Sequence, residues 1–444
     1  MISFVNIKTI FELSSDRTIE RLSSFYAKDS ALLNAIDEIT SKYLIEEVIH
    51  GKKVLLKPNW VKHNTASQNE ICMRTHDQFL LAALEMILKK NPAKVLIGDA
   101  PIQGCNWERM ITTAFIEKIK NLSTQYGIPV DIKDFRRVTY NPSKNNPLLE
   151  RNPLSEYTLF DLGEKSLLEP ITRRDKSLFR VTNYNPDRLA VSHGPGIHKY
   201  CITNTLFEND VVISLPKVKT HQKAGITAAL KNIVGLNGDK DFLPHHRMGG
   251  TRFGGDCYPG NNILRYLSEK ALDNANRQQG NWMFWPWQKL SSLLWRISFP
   301  GNEHHLSAAW HGNDTTWRMV MDINKIAVFG KADGTLSETP QRQLFSLCDG
   351  IIAGQGDGPL KPEPLALGII SFTNHSAMND VCMAKLMGFN VHKIPLLNSA
   401  LNQAESDKVE LFLDNIPIIP NALEKLAITT LLAPGWIEYM QQMN

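Results

Sequence analysis

The stretch Asp210-Val-Val-Ile-Ser-Leu-Pro-Lys-Val-Lys-Thr-His221, continued by Gln-Lys-Ala-Gly-Ile-Thr-Ala-Ala-Leu-Lys231-Asn-Ile-Val-Gly235, carries the fold and the chemistry together. Val211 to Leu215 is a short, β-branched apolar run with polar flanks, the pattern of a strand buried on both faces. Pro216 has no N–H for a sheet ladder, so the strand is expected to stop there. From Thr227 the residues Thr-Ala-Ala-Leu-Lys-Asn-Ile-Val predict a helix, with Gly235 as its stop. Lys217, Lys219, Thr220 and His221 then fall on a strand-to-helix loop at the carboxyl end of a strand. Open α/β sheets bind ligands at that edge. Lysines without nearby acids, beside free helix N–H groups, favour an anion, although an ordinary basic loop has the same composition.

Upstream, Lys53-Val-Leu-Leu-Lys57-Pro-Asn59-Trp60 is a strand that again closes on Lys and Pro. Thr75-His76-Asp77 opens an amphipathic helix running from Phe79 to Lys89, and Lys94-Val-Leu-Ile-Gly-Asp99-Ala-Pro101 is the next strand. This β-α-β order predicts a parallel sheet. Before it, apolar residues at helical spacing, as in Asp29-Ser-Ala-Leu-Leu-Asn-Ala-Ile-Asp-Glu-Ile, predict a helical lead-in. Asn141-Pro142, Asn146-Pro147, Asn152-Pro153 and Asn185-Pro186 mark turns. Downstream, Cys348-Asp-Gly-Ile-Ile-Ala-Gly-Gln-Gly-Asp357-Gly-Pro359 is a strand entering a glycine-rich turn. Pro364 to Phe372 is another strand, and Asn379 to Gly388 a helix. The expected architecture is α/β: two lobes with mainly parallel sheets flanked by helices and a cleft between them. Residues 1–44 form the lead-in, 45–275 the first lobe, 276–312 a Trp-rich insert and 313–444 the second lobe.

At 444 residues and 43% apolar composition the chain can bury a large core. A net charge of +4, evenly spread, argues against a nucleic-acid partner. Cys72, Cys105, Cys201, Cys257, Cys348 and Cys382 are far apart, with no CxxC. That argues against an iron–sulfur cluster or a structural zinc site made from cysteines and for a reducing compartment. No basic region precedes a long apolar core at the N-terminus, and no apolar run reaches about 18 residues. Neither a signal peptide nor a transmembrane segment is expected, and the expected setting is cytoplasmic.

Two further segments carry chemistry. Asp239-Lys-Asp-Phe-Leu-Pro-His245-His246-Arg247-Met-Gly-Gly combines imidazoles, guanidinium and glycines in a loop able to approach a ligand closely. His245 and His246, with Asp99, are candidate ligands of a divalent metal, although adjacent histidine side chains often diverge. Trp282, Phe284, Trp285, Trp287, Trp295, Phe299 and Trp310 make the second segment. Residues 282–299 could pack as a subdomain, close as a lid over an apolar part of a substrate, dock a protein partner or lie on a membrane surface.

Lys57-Pro-Asn, Gly98-Asp-Ala-Pro, Leu215-Pro-Lys-Val-Lys-Thr-His221, Ala229-Leu-Lys-Asn-Ile-Val-Gly235, Gly356-Asp-Gly-Pro and Asp380-Val…Leu386-Met-Gly-Phe389, in this order, resemble the family known as domain of unknown function 362. Some members of that family carry ferredoxin-like cysteine clusters, which this chain lacks. Asn374-His375 stands where the family usually has Asp-Pro. The spacing His221-x-x-Ala-Gly-x-x-x-x-x-Lys231 is also similar to a segment of nickel-dependent lactate racemase. There the His transfers protons, the Lys tethers a nickel-pincer nucleotide, and a nickel-ligating His follows near the position of His245 or His246. Ala229-Leu230 replaces the Gly-Gly-Arg of that family, and Asp99-Ala-Pro stands where its second catalytic His would fall. The resemblance implies shared ancestry of the lobe rather than nickel.

The expected function is an enzyme acting on an anionic small molecule, a carboxylate or phosphorylated metabolite, by His/Lys acid–base chemistry of the isomerase or epimerase kind. Lys217 and Lys219 would hold the anion, with Lys57, Asn59, Thr220, Asn232 and Arg247 around it. His221 would be the acid/base, Lys231 a second acid/base, a covalent attachment point or an exposed helix charge, and Asp99, Asp322 or Asp357 would orient the histidine or bind a cation. The alternative is a non-catalytic binding or assembly protein that docks a partner through the Trp-rich segment. Convergence of Lys57, His221, Lys231 and Asp357 on one concave pocket would favour the enzyme.

Overall fold

Along Val211–Leu215, Val211, Ile213 and Leu215 enter one apolar core while Val212 enters another. The strand therefore separates two cores, which is what its unbroken apolar run demands. The computed structural model describes residues 2–12, 14–44, 46–63, 70–140, 148–298, 308–403 and 408–441. The turns expected at Asn141-Pro142 and Asn146-Pro147, and Phe299, lie outside the described residues.

The central sheet has 12 strands. In chain order they are β1 (Ser3–Thr9), β2 (Lys53–Pro58), β3 (Lys94–Asp99), β4 (Val130–Asp134), β5 (Val211–Leu215), β6 (Lys217–His221), β7 (Gly225–Thr227), β8 (Gln343–Asp357), β9 (Lys361–Leu365), β10 (Ile369–Thr373), β11 (Val409–Leu413) and β12 (Ile416–Pro417). The spatial order is β12-β11-β1-β10-β8-β5-β2-β3-β4, with β6 and β9 also paired to β8 and β7 to β6. From β8 through β5, β2 and β3 to β4 all neighbours are parallel. Here β10 runs antiparallel to both β8 and β1.

Helices cover both faces. On one side lie α1 (Ile19–Tyr26), α2 (Asp29–Thr40), α3 (Asp77–Leu88) and α4 (Thr113–Tyr126), which bring Leu22, Ile36, Leu80 and Ile119 to one core. The short α5 (Ala229–Asn232) is followed in the chain by α6 (Ile263–Arg277) and α7 (Phe284–Ser298). Next come α8 (Thr316–Phe329), α9 (Ser376–Leu386) and α10 (Pro395–Gln403). Ala229, Ile323, Val381 and Leu397 from α5, α8, α9 and α10 pack in the opposite core. The α/β class with helices on both faces stands. The sheet is continuous across the expected lobes, because β5 of the first segment pairs directly with β8 of the second. Among the described residues no helix is long and apolar enough to cross a membrane.

Two local expectations are corrected. The lead-in over 1–44 is helical only in part, since Ser3–Thr9 is a strand inside the sheet. Phe4 faces one core, Val5 and Ile7 face the other, and this period of two is a strand's. Nor are Lys217–His221 a strand-to-helix loop. Pro216 interrupts the ladder, but the chain resumes at once as β6 and turns back as a hairpin, pairing Lys219 with Thr227 and His221 with Gly225. Gly225 makes that return at φ 80°, where a side chain would be strained. The helix then starts at Ala229, its α-helical turn Ala229–Asn232 running on as a 3₁₀ turn over Ile233–Leu236. Its first N–H groups, those of Ala229 and Leu230, donate to the buried Asp380 carboxylate at 2.7 and 3.0 Å. A carboxylate from α9 thus does what a local cap would do elsewhere.

Candidate functional site

Strand β2 sends Val54 and Leu56 to one core and Leu55 to the other, and Lys57 follows Leu55. Fully buried at the carboxyl end of its strand, Lys57 is paired with Asp99 from the end of β3 (Nζ–Oδ1 2.7 Å). Asp99 also accepts the N–H groups of Ala100 (2.9 Å) and Trp60 (2.8 Å). Asn232 ties the floor together. Its Nδ2 donates to Ser214 Oγ at 2.8 Å, and its Oδ1 accepts from Asn59 Nδ2 at 3.1 Å and Lys57 Nζ at 3.3 Å. Gly235 is needed here for space. A Cβ at that position would lie 2.0 Å from Asp99 Oδ1 and 2.7 Å from Lys57 Nζ. Its role is close approach rather than the helix stop its place in the sequence suggests.

Above this floor opens a cavity of about 540 Å³. Lys219, Lys223, Lys231 and Lys240 line it, together with His221, His245, Tyr140 and Tyr184. Asp99 is the one carboxylate in the wall among the described residues, and Lys57 already neutralises it. Burial disfavours each lysine's charge. It pulls Lys231 down to about 7, helped by Lys240, Lys57 and Lys223, and Lys219 to about 7, helped by Lys217 and Lys231. Lys223 and Lys240 are lowered to about 8, again chiefly by burial. Lys219 is also hydrogen-bonded, to Asn59 Oδ1 at 3.0 Å and to the Met73 carbonyl.

The two histidines have complementary faces. His221 Nδ1 accepts the N–H groups of Lys223 and Ala224, both at 3.1 Å. That nitrogen is therefore unprotonated, and the neutral ring keeps its proton on Nε2. Burial, then Lys231, holds its pKa well below the usual imidazole range. His245 Nδ1 lies 2.6 Å from the Leu243 carbonyl, an obligate acceptor, so Nδ1 carries the proton and Nε2 is left as an acceptor. The site thus has four amines, one imidazole donor and one imidazole acceptor.

Of the candidates from the sequence, Asn59, Asp99, Lys219, His221, Lys231, Asn232 and His245 line this cavity. Others are placed differently. Lys57 lies in the floor. Lys217 is sealed away with Asp349 (2.9 Å) and Tyr26 (3.1 Å), so it cannot hold a ligand. Thr220 Oγ1 donates to the Gly356 carbonyl at 3.0 Å, Asp357 accepts from Gln222 Nε2, and Arg247 Nη1 donates to the Gly254 carbonyl at 2.9 Å. Asp322 accepts from Ser166, Leu167 and Tyr200 in the interior. The expected metal set of His245, His246 and Asp99 does not form. Asp99 is spent on Lys57 and two N–H groups, and His246 lines a different cavity. Lys223 and Lys240 are the residues that sequence reasoning passed over. Each is a single lysine in a polar loop, and only the hairpin β6–β7 and the turn after Gly235 turn them inward.

The family model described as a domain of unknown function (DUF362) matches residues 164–385, half of the chain. The chain belongs to the DUF362 family. The DUF362 match contains Lys219, His221, Lys223, Lys231, Lys240 and His245, whereas Lys57, Asn59 and Asp99 precede it. No curated protein matches the chain. A solved structure of a Thermotoga maritima protein, a structural-genomics target, is similar at 11% identity with a TM-score of 0.33, over 85% of this chain and 59% of that one.

Proposed function

We propose that the lysine-lined cavity binds an anionic small molecule, a carboxylate or a phosphorylated metabolite, and that the chain is an enzyme acting on it by proton transfer. The observation that carries this reading is the charge count of the wall: four lysines face one carboxylate, and that carboxylate is already paired. Without a ligand these amines repel one another in a partly desolvated space. A multiply charged anion removes that repulsion and gives each ammonium a charge-assisted hydrogen bond.

The same crowding assigns roles. An amine with a pKa of about 7 exchanges protons at neutral pH, which makes Lys231 or Lys219 the acid–base group. His221, neutral and carrying Nε2–H, is a hydrogen-bond donor to a ligand oxygen, and His245 Nε2 is an acceptor. Proton transfer of the isomerase or epimerase kind fits this set. Six free, buried cysteines support a reducing, cytoplasmic setting.

The test is calorimetry with phosphorylated and polycarboxylate metabolites against their uncharged analogues, followed by isotope exchange from solvent into any binder. Selective binding of the charged series, lost in Lys231→Met, supports the reading. Equal binding of charged and uncharged members would end it. A second reading, a partner-docking protein, is favoured by α7, where Trp285 (54%), Leu293 (54%) and Ile297 (58%) are exposed beside Trp282 (76%). An anion-independent partner on that face, with no anion bound in the cavity, would favour it.

A further inference from the structure

A second cavity, of about 500 Å³, lies between the Phe179–Arg180 and His246–Arg247 strand pair and helices α6 and α7. Three side chains with metal-ligating atoms meet in its wall, from three separate pieces of chain. His246 comes from the short strand, Cys257 from the loop after it and Glu269 from α6. Their ligand atoms all lie within 4.8 Å of one another. The residues are 5%, 1% and 7% exposed. His246 Nδ1 has no hydrogen-bond partner, whereas Glu269 Oε2 accepts the Gly249 N–H at 2.9 Å and the carboxylate lies within hydrogen-bonding reach of the Cys257 thiol. Buried polar atoms are normally paired, and an unpaired imidazole nitrogen beside a thiol and a carboxylate calls for an occupant. Arg180, which lines the same cavity, does not supply it, because it is engaged with Asp273 (Nε–Oδ1 3.0 Å, Nη2–Oδ2 2.9 Å).

We propose that His246, Cys257 and Glu269 bind a transition-metal dication of the zinc class, with one coordination position open to the cavity. One nitrogen, one sulfur and one oxygen form a borderline-to-soft donor set, which selects zinc or cobalt over magnesium or calcium. Three protein ligands leave the fourth position of a tetrahedral ion for water or a ligand in the cavity, the arrangement of catalytic rather than structural zinc sites. Binding replaces the Cys257 S–H bond by a metal–sulfur bond and releases that proton, and the carboxyl proton where Glu269 holds one. A dication with one thiolate and one carboxylate leaves a centre of zero net charge, suited to this burial. The site lies in a neighbouring cavity that shares the Val181–Asn183 wall with the lysine cavity, and its existence does not depend on the function proposed for that cavity.

The experiment is titration of chelator-treated protein with Co²⁺ and Zn²⁺. The expected result is about one equivalent of Co²⁺ with a thiolate-to-cobalt charge-transfer band. The band is lost in Cys257→Ser and retained in His245→Ala. Because Cys257→Ser could fail to fold, a second measurement uses the unaltered protein: Zn²⁺ should slow alkylation of Cys257, followed by peptide mass spectrometry, by about tenfold or more. The proposal is overturned if neither ion binds stoichiometrically, or if Zn²⁺ leaves the alkylation of Cys257 unchanged.

Discussion

His245 and His246 are adjacent in the chain but line different cavities, His245 among the lysines and His246 beside Cys257 and Glu269. Substitutions at the two positions should therefore separate. His245→Ala is expected to weaken anion binding by about tenfold, the worth of one hydrogen bond to a charged group, and to leave metal content unchanged. His246→Ala should do the reverse. Calorimetry and elemental analysis on both variants check this.

Anion binding should take up protons. Lys219 and Lys231 have pKa values of about 7 in the free protein, and a bound anion raises them. Between about pH 7 and 9 the complex therefore binds more protons than its components, and affinity rises as the pH falls. Calorimetry in buffers of different ionisation enthalpy measures the uptake directly. In the ligand-free protein the sign for folding follows from the same lysines. Their depressed pKa means that stability is gained as pH rises from 7 towards 10.5. Lys231→Met should then be more stable than the parent by on the order of 2 °C at pH 6, with the difference vanishing at pH 10.

The Lys57–Asp99 pair should govern stability more than binding. Asp99→Asn removes the counter-charge of a fully buried amine and should cost about 3 kcal/mol in urea denaturation. Gly235→Ala should approach that cost without changing the number of charges, because its methyl group would clash with the Asp99 carboxylate.

His221 should act through its donor. His221→Gln keeps an N–H and is expected to bind the anion within about threefold of the parent, while His221→Leu should lose about tenfold. Nitrogen NMR should find the ring neutral, protonated on Nε2, down to pH 5.

Local pattern was enough for Lys53–Pro58, Lys94–Asp99, Val211–Leu215 and Asp77–Leu88, where one period dominates and burial agrees with it. It failed where a distant segment decides the outcome. Thr227–Val234 predicts one helix, yet Thr227 pairs with Lys219 in the β6–β7 hairpin, so the helix starts at Ala229, where the Asp380 carboxylate caps it, and only Ala229–Asn232 is α-helical before a 3₁₀ turn. Lys217 and Lys219 look alike in sequence, but Asp349, which lies 132 residues away, removes the first from the site. Lys223, Lys240, Cys257 and Glu269 have no motif of their own. Their meaning comes from what the fold sets beside them.

Strand β1 lies between β10 and β11, pairing Val5 with both Thr373 and Leu411. During synthesis it has no partner until residues 369–413 have left the ribosome, roughly 20–70 s later at ordinary elongation rates. Through that interval Phe4, Val5 and Ile7 are a nascent apolar strand with two open edges. The central sheet can close only once residue 413 has emerged, so this chain should depend on a holding chaperone more than one whose first strand is hydrogen-bonded to its second.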